Sequence, residues 1–161
     1  MEKAPIKRNP NIVKLSQDHH ASLLFCWKLR QGLKYHAEPS RMIKYVKYFW
    51  EHHFSNHFKE EEDILFAPLK DTLIEKAIED HTRIKKFIGE LTSAPQPDQD
   101  DQLSVLADTV DAHVRFEERI LFPHLEKQLS AEQLEDIGGR ISGEPLKDNY
   151  DDTFWIKSSS L

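Results

Sequence analysis

Residues 57–66 read His-Phe-Lys-Glu-Glu-Glu-Asp-Ile-Leu-Phe, and residues 113–122 read His-Val-Arg-Phe-Glu-Glu-Arg-Ile-Leu-Phe. The copies lie 56 residues apart (57 to 113), and His57, Glu61, Glu62, Ile64, Leu65 and Phe66 recur as His113, Glu117, Glu118, Ile120, Leu121 and Phe122. A His and a Glu four residues apart share one face of a helix, one turn apart. A second echo lies upstream of each copy, where Asp18-His19 corresponds to Asp80-His81. Each half of the chain thus reads as Asp-His on one helix, a turn, then His-x-x-x-Glu-Glu-x-Ile-Leu-Phe on the next. A helical hairpin used twice closes into a bundle with approximate two-fold symmetry.

The flanking sequence supplies the ends of those helices. Helical periodicity predicts four long helices, over about Pro10–Leu33, Arg41–Phe66, Thr72–Leu91 and Gln102–Leu129. Asn9, Ser40 and Asp71 are the expected N-caps of the first three. Pro10 suits a first helical position, and Pro123 is expected to kink the fourth helix or end its first section. The polar, Pro-containing stretch from Thr92 to Asp101 reads as a linker. Ser130 and Gln133 form a capping box for a short fifth helix that stops at Gly138-Gly139. No Val/Ile/Thr-rich alternating run suggests a sheet. The expected fold is therefore all-α, an antiparallel up-down-up-down four-helix bundle over 10–129, with a short fifth helix and tail over 130–161. The tail carries Tyr150, Phe154, Trp155 and Ile156, an aromatic cluster expected to dock back on the bundle rather than stand in water.

Composition narrows the function classes. The chain has 161 residues, net charge −6, a single cysteine (Cys26), five glycines and nine histidines. A net negative charge argues against a general nucleic-acid footprint. One cysteine excludes an internal disulfide framework and any Cys-rich metal site. Few glycines disfavour a Gly-rich phosphate loop. The longest apolar runs are only a few residues, so no membrane span is expected. The stretch MEKAPIKRNP has no apolar h-region, so no secretory signal is read and a cytoplasmic protein is expected.

The histidines carry the chemistry. Phe54, Leu65, Val110 and Leu121 lie three or four residues from the repeated pairs, so those polar groups point into the core. An unpaired carboxylate there is very costly, and bound cations are the best explanation. Glu60 competes with Glu61, but its counterpart in the second half is Phe116, which leaves Glu61 and Glu117 as the shared solution. His19 and His20 are adjacent; the apolar moment and the parallel with Asp80-His81 favour His19. The candidate metal ligands are therefore His19, His57, Glu61, His81, His113 and Glu117, with no catalytic residue assigned. Four imidazoles and two carboxylates are too nitrogen-rich for calcium or magnesium and too many for one zinc. They match a dinuclear transition-metal site, with iron the best candidate and manganese or mixed metals behind it. His53, one turn before His57, reads as a fifth imidazole or a supporting residue, although its counterpart is Thr109. His36, His52 and His124 read as peripheral, Cys26 as a core residue, and Glu60, Glu62 and Asp63 as a solvated acidic face.

At these residues the sequence resembles the hemerythrin-like family, also called the HHE cation-binding domain, over about residues 10–129. The resemblance rests on Asp18-His19, His57-x-x-x-Glu61-Glu62-x-x-Leu65-Phe66, Asp80-His81 and His113-x-x-x-Glu117-Glu118-x-x-Leu121-Phe122-Pro123. It implies a four-helix bundle around a non-haem di-iron centre. The histidines would be terminal ligands, and Glu61 and Glu117 would bridge two iron ions together with an oxo, hydroxo or water group. The chain departs from the oxygen carriers of the family, which place a second His where Lys85 stands and an Asp, at a different spacing, where this chain has Glu117. That implies an open position on one iron rather than reversible oxygen transport. The implied function is to bind, sense or scavenge oxygen or reactive oxygen or nitrogen species, or to store iron. The partner would be a small diatomic or peroxide ligand. The alternatives are a di-iron enzyme, either a catalase-like peroxidase or an iron–sulfur-cluster repair factor, and a structural module that holds metal for stability.

Overall fold

The computed structural model describes residues 7–93, 97–141, 144–145 and 147–157. The first part of the N-terminal stretch, the middle of the 92–101 linker and parts of the tail lie outside these residues. Among the described residues all regular structure is helical. Helix α1 is Val13–Lys34, α2 spans 39–65, α3 is Thr72–Ser93, α4 spans 99–128 and α5 is Ala131–Arg140. Neighbours in the chain pack side by side, and α1 also packs along α4, which closes an antiparallel ring.

Three of the four starts shift by two or three residues from their expected places, and the ends by one or two. The stretch Asn9–Ile12 forms a turn before α1, in which the Asn9 side chain accepts from the Asn11 N–H. Pro39, the pre-organised first-turn residue, starts α2, so Ser40 lies inside the helix rather than capping it. Asp71 does cap α3, accepting from the Ile74 N–H at 3.0 Å. Asp98 adopts a left-handed φ of 63°, and α4 begins at once after it, at Gln99. The capping box at Ser130 and Gln133 is formed, and α5 runs through both glycines to Arg140.

Helices α2 and α4 each change pitch inside their length. Glu61–Leu65 and Glu117–Leu121 are π-helical turns at matching positions of the repeat, and Trp50–Phe54 is a third without a counterpart. The helices continue through them in αR backbone. Pro123 therefore neither ends nor breaks α4. The Phe122 N–H reaches back to the Glu117 carbonyl, Pro123 has no N–H, and the Glu118 carbonyl accepts instead from Arg8 Nη2 at 2.9 Å.

Two apolar clusters fill the bundle. One gathers Phe25, Tyr45, Phe49, Phe54, Ile84 and Leu103; the other gathers Ile12, Leu15, Leu65, Phe66, Leu121 and Phe122. The tail docks on the first. Phe154 is buried, while Tyr150 and Trp155 pack against the cluster. Ile156 is the exception at 57% exposed, because the 153–156 turn points it outward. Asp148 fixes the tail by accepting from the Tyr45 hydroxyl and from Lys28, whose ammonium also lies 4.0 Å from the Trp155 ring centre. Gly32 makes this seat possible, since a Cβ there would come within 2.8 Å of Phe154 and Met42.

Candidate metal centre

Between the two apolar clusters lies a polar layer to which all four long helices contribute. Helix α1 supplies His19, α2 supplies His57 and Glu61, α3 supplies His81, and α4 supplies His113 and Glu117, all of them buried. His20, next to His19, is exposed.

Each of the four imidazoles turns Nε2 inward and Nδ1 outward. Inward, His19 lies 2.8 Å from Glu117 and 3.6 Å from Glu61, and His57 lies 3.3 Å from Glu61. His81 lies 3.0 Å from Glu61 and 3.5 Å from Glu117, and His113 lies 3.4 Å from Glu117. Outward, each Nδ1 meets its own carboxylate: Glu118 for His19 and Glu62 for His81, both at 2.7 Å, and Asp18 for His57 and Asp80 for His113, both at 3.0 Å. The pattern obeys the two-fold of the repeat. A carboxylate on Nδ1 holds that proton in place and presents the Nε2 lone pair, the arrangement usual for histidines that bind metal.

The inward atoms fall into two overlapping groups, His19/His57/Glu61/Glu117 and Glu61/His81/His113/Glu117, each with all ligand atoms within 4.8 Å of one another. Glu61 and Glu117 belong to both. The Nε2 atoms of His57, His81 and His113, both Glu61 oxygens and Glu117 Oε2 are buried and make no hydrogen bond. Such atoms are costly unless a partner satisfies them. A set of imidazole nitrogens and carboxylate oxygens suits divalent transition metals, so the residues present fit a pair of cations.

Electrostatics agree. Burial alone would lower the imidazole pKa of His19 and His81, but the carboxylates around them outweigh it and raise both well above the ordinary value. Burial and Glu117 push the Glu61 carboxyl up, yet His57 and His19 more than offset them and hold it below its ordinary range. The layer is a negative site built to face positive charge.

The outer carboxylates change the reading of the acidic run. Glu62 is part-exposed but bonded to His81, and Glu60 is buried and bonded to Lys14 at 2.6 Å. Asp63 is exposed as expected. The signal for Glu62 and Glu118 was the second Glu of each copy, and for Asp18 and Asp80 the repeated Asp-His. His53 belongs to neither group. It is buried, stacked 4.3 Å from Phe49, and its pKa is lowered by burial. His36 and His52 are exposed, and His124 bonds Asp71 at 2.7 Å near the end of the bundle. Lys85 is exposed and lines a cleft that reaches His81.

No helix is long and apolar enough to cross a membrane among the described residues. No curated protein and no solved structure matches the chain significantly. The profile of the Hemerythrin HHE cation binding domain matches residues 11–125, a span that contains the whole His/Glu layer. The chain therefore belongs to the hemerythrin HHE cation binding domain family and is a metal-binding protein.

Proposed function

We propose that the protein is a non-haem di-iron protein that binds, senses or scavenges oxygen or reactive oxygen or nitrogen species, or stores iron. The carrying observation is that the two ligand groups share both Glu61 and Glu117. Two carboxylates common to both groups would hold two cations side by side. In this reading His19 and His57 complete one position, and His81 and His113 the other. The reading takes 10–129 as the metal-binding unit, with 130–161 as its appendage. A lone buried thiol, Cys26, suits a cytoplasmic setting.

Bound iron would supply electrons toward oxygen, nitric oxide or peroxide, one from each ion; the chain supplies geometry and access. Asp18, Glu62, Asp80 and Glu118 fix the rings and make the imidazoles better donors. Phe58 stacks 4.0 Å from His81, and Phe122 5.2 Å from His19, which gives each half of the layer an aromatic wall. No side chain in the layer stands as a separate proton donor, which favours binding over turnover.

Metal quantitation on protein purified without added metal, with an optical spectrum, tests the reading. About two irons per chain, with bands that respond to oxygen or peroxide, is the expected result. Rapid peroxide turnover would point to the peroxidase alternative instead, and a colourless protein with one zinc would refute a di-iron centre.

A further inference from the structure

The two-fold of the repeat holds for the inner residues and fails just outside them. Glu118, behind His19, is held by Arg8 at 3.2 Å and by the Ser16 hydroxyl at 2.6 Å. The Arg8 side chain is only 4% exposed, also binds Glu126 at 2.8 Å, and lies over the Phe122 ring. Counting from the Asp-His pairs, the positions that match Arg8 and Ser16 are Lys70 and Ile78, which are both exposed. Glu62, behind His81, has only His81 as a partner among its described contacts and lines a cleft of about 330 Å³ between α2 and α3.

The second pair of outer carboxylates behaves in the same way. Asp18 and Asp80 each meet a lysine four residues earlier, Lys14 at 3.1 Å and Lys76 at 2.9 Å. Glu60 reaches across to hold Lys14, whose side chain is 13% exposed. Phe116 stands where a second Glu60 would be. Lys76 instead lies 4.2 Å from the Phe116 ring centre and is 51% exposed. Beside it, a cleft of about 340 Å³ between α3 and α4 reaches His113. Both histidines of one ligand group thus border clefts, while the outer partners of His19 and His57 are locked by Arg8, Ser16, Lys14 and Glu60.

We infer that the two metal positions exchange with solvent unequally: the position of His81 and His113 is the one that small ligands reach and that releases its ion first, while the position of His19 and His57 is closed. The inference rests on the dinuclear reading above. It follows from the side chains that cover the layer, since the inner donors of the two positions are alike.

The test is anaerobic release of ferrous ions from the loaded full-length chain to a coloured ferrous chelator. The expected trace has two phases of equal amplitude, with rates roughly tenfold or more apart. Arg8→Ala combined with Lys14→Ala should speed the slow phase and leave the fast one unchanged. Thr82→Trp combined with Ala112→Trp, on exposed cleft positions, should slow the fast phase alone. One phase that releases both ions, or a fast phase untouched by the tryptophans, would overturn the inference. Should the tryptophan variant fail to fold, the number of phases in the unmodified protein and the response to the Arg8/Lys14 pair still decide it. A starting content below two ions per chain would instead remove the dinuclear reading itself, and would be seen before any chelator is added.

Discussion

Glu62 shows what a single side chain adds to the site. Its carboxylate carries no inward atom, yet it fixes the ring of His81 through Nδ1. Glu62→Ala should leave the helices intact and weaken metal affinity about 10- to 100-fold, as measured by competition with a chelator of known affinity. An unchanged affinity would mean that His81 is held by its stacking on Phe58 alone. The role was hard to read from the chain, because a Glu within an acidic run has the composition of a solvated face. Its direction depends on the π-helical turn that starts at Glu61, and that turn leaves no trace in a 3.6-residue period. Glu61 was easier, since the repeat removed Glu60 by placing Phe116 at the same position. Cys26 gives a second residue-level expectation. Burial, then the charge of Asp111, pushes its thiol from the ordinary value near 9 up to about 12. Between those values the unfolded thiol has lost its proton and the folded one keeps it. Stability should therefore fall as pH rises through that window, by about 1.4 kcal/mol per pH unit from this group. Denaturant titrations of Cys26→Ala should show a shallower alkaline loss; an equal slope would assign the effect to Tyr45, whose hydroxyl is also raised by burial.

Among elements, the long helices were legible because Pro, Ser and Asp punctuate them and apolar residues repeat on one side. Two starts moved by two or three residues, since Pro39 and the left-handed Asp98 start helices as well as the expected caps do. The tail was legible in kind from its aromatic residues, but the place where it lands was not. That place depends on a missing side chain at Gly32 and on Asp148 reaching Tyr45 and Lys28. Gly32→Ala should push Phe154 out of its seat and cost about 1–3 kcal/mol. Thermal unfolding should shift downward, and limited proteolysis should begin to cut within 147–157. A variant that melts and resists protease like the parent would show that Met42 yields instead and the tail stays docked.

For the whole molecule, the repeat made the bundle and its two-fold readable, whereas the unequal coverage of the two halves lay outside the repeated segments. The layer also divides the interior. Each of the four long helices threads two separate apolar clusters, joined through a seam of buried carboxylates and imidazoles. Without metal, the imidazoles alone offset the Glu61 and Glu117 carboxylates that face each other in this seam; with cations it becomes the tie between the ends. Amide hydrogen exchange should register this as a gradient along single helices. Metal should slow exchange most in 57–61 and 113–117, and much less around Phe49 in one cluster or Leu125 in the other. Uniform slowing along α2 and α4 would mean that the two clusters already open and close as one unit. Helices that run unbroken in space would otherwise be divided in time, each half keeping its own rate of opening until an ion joins them.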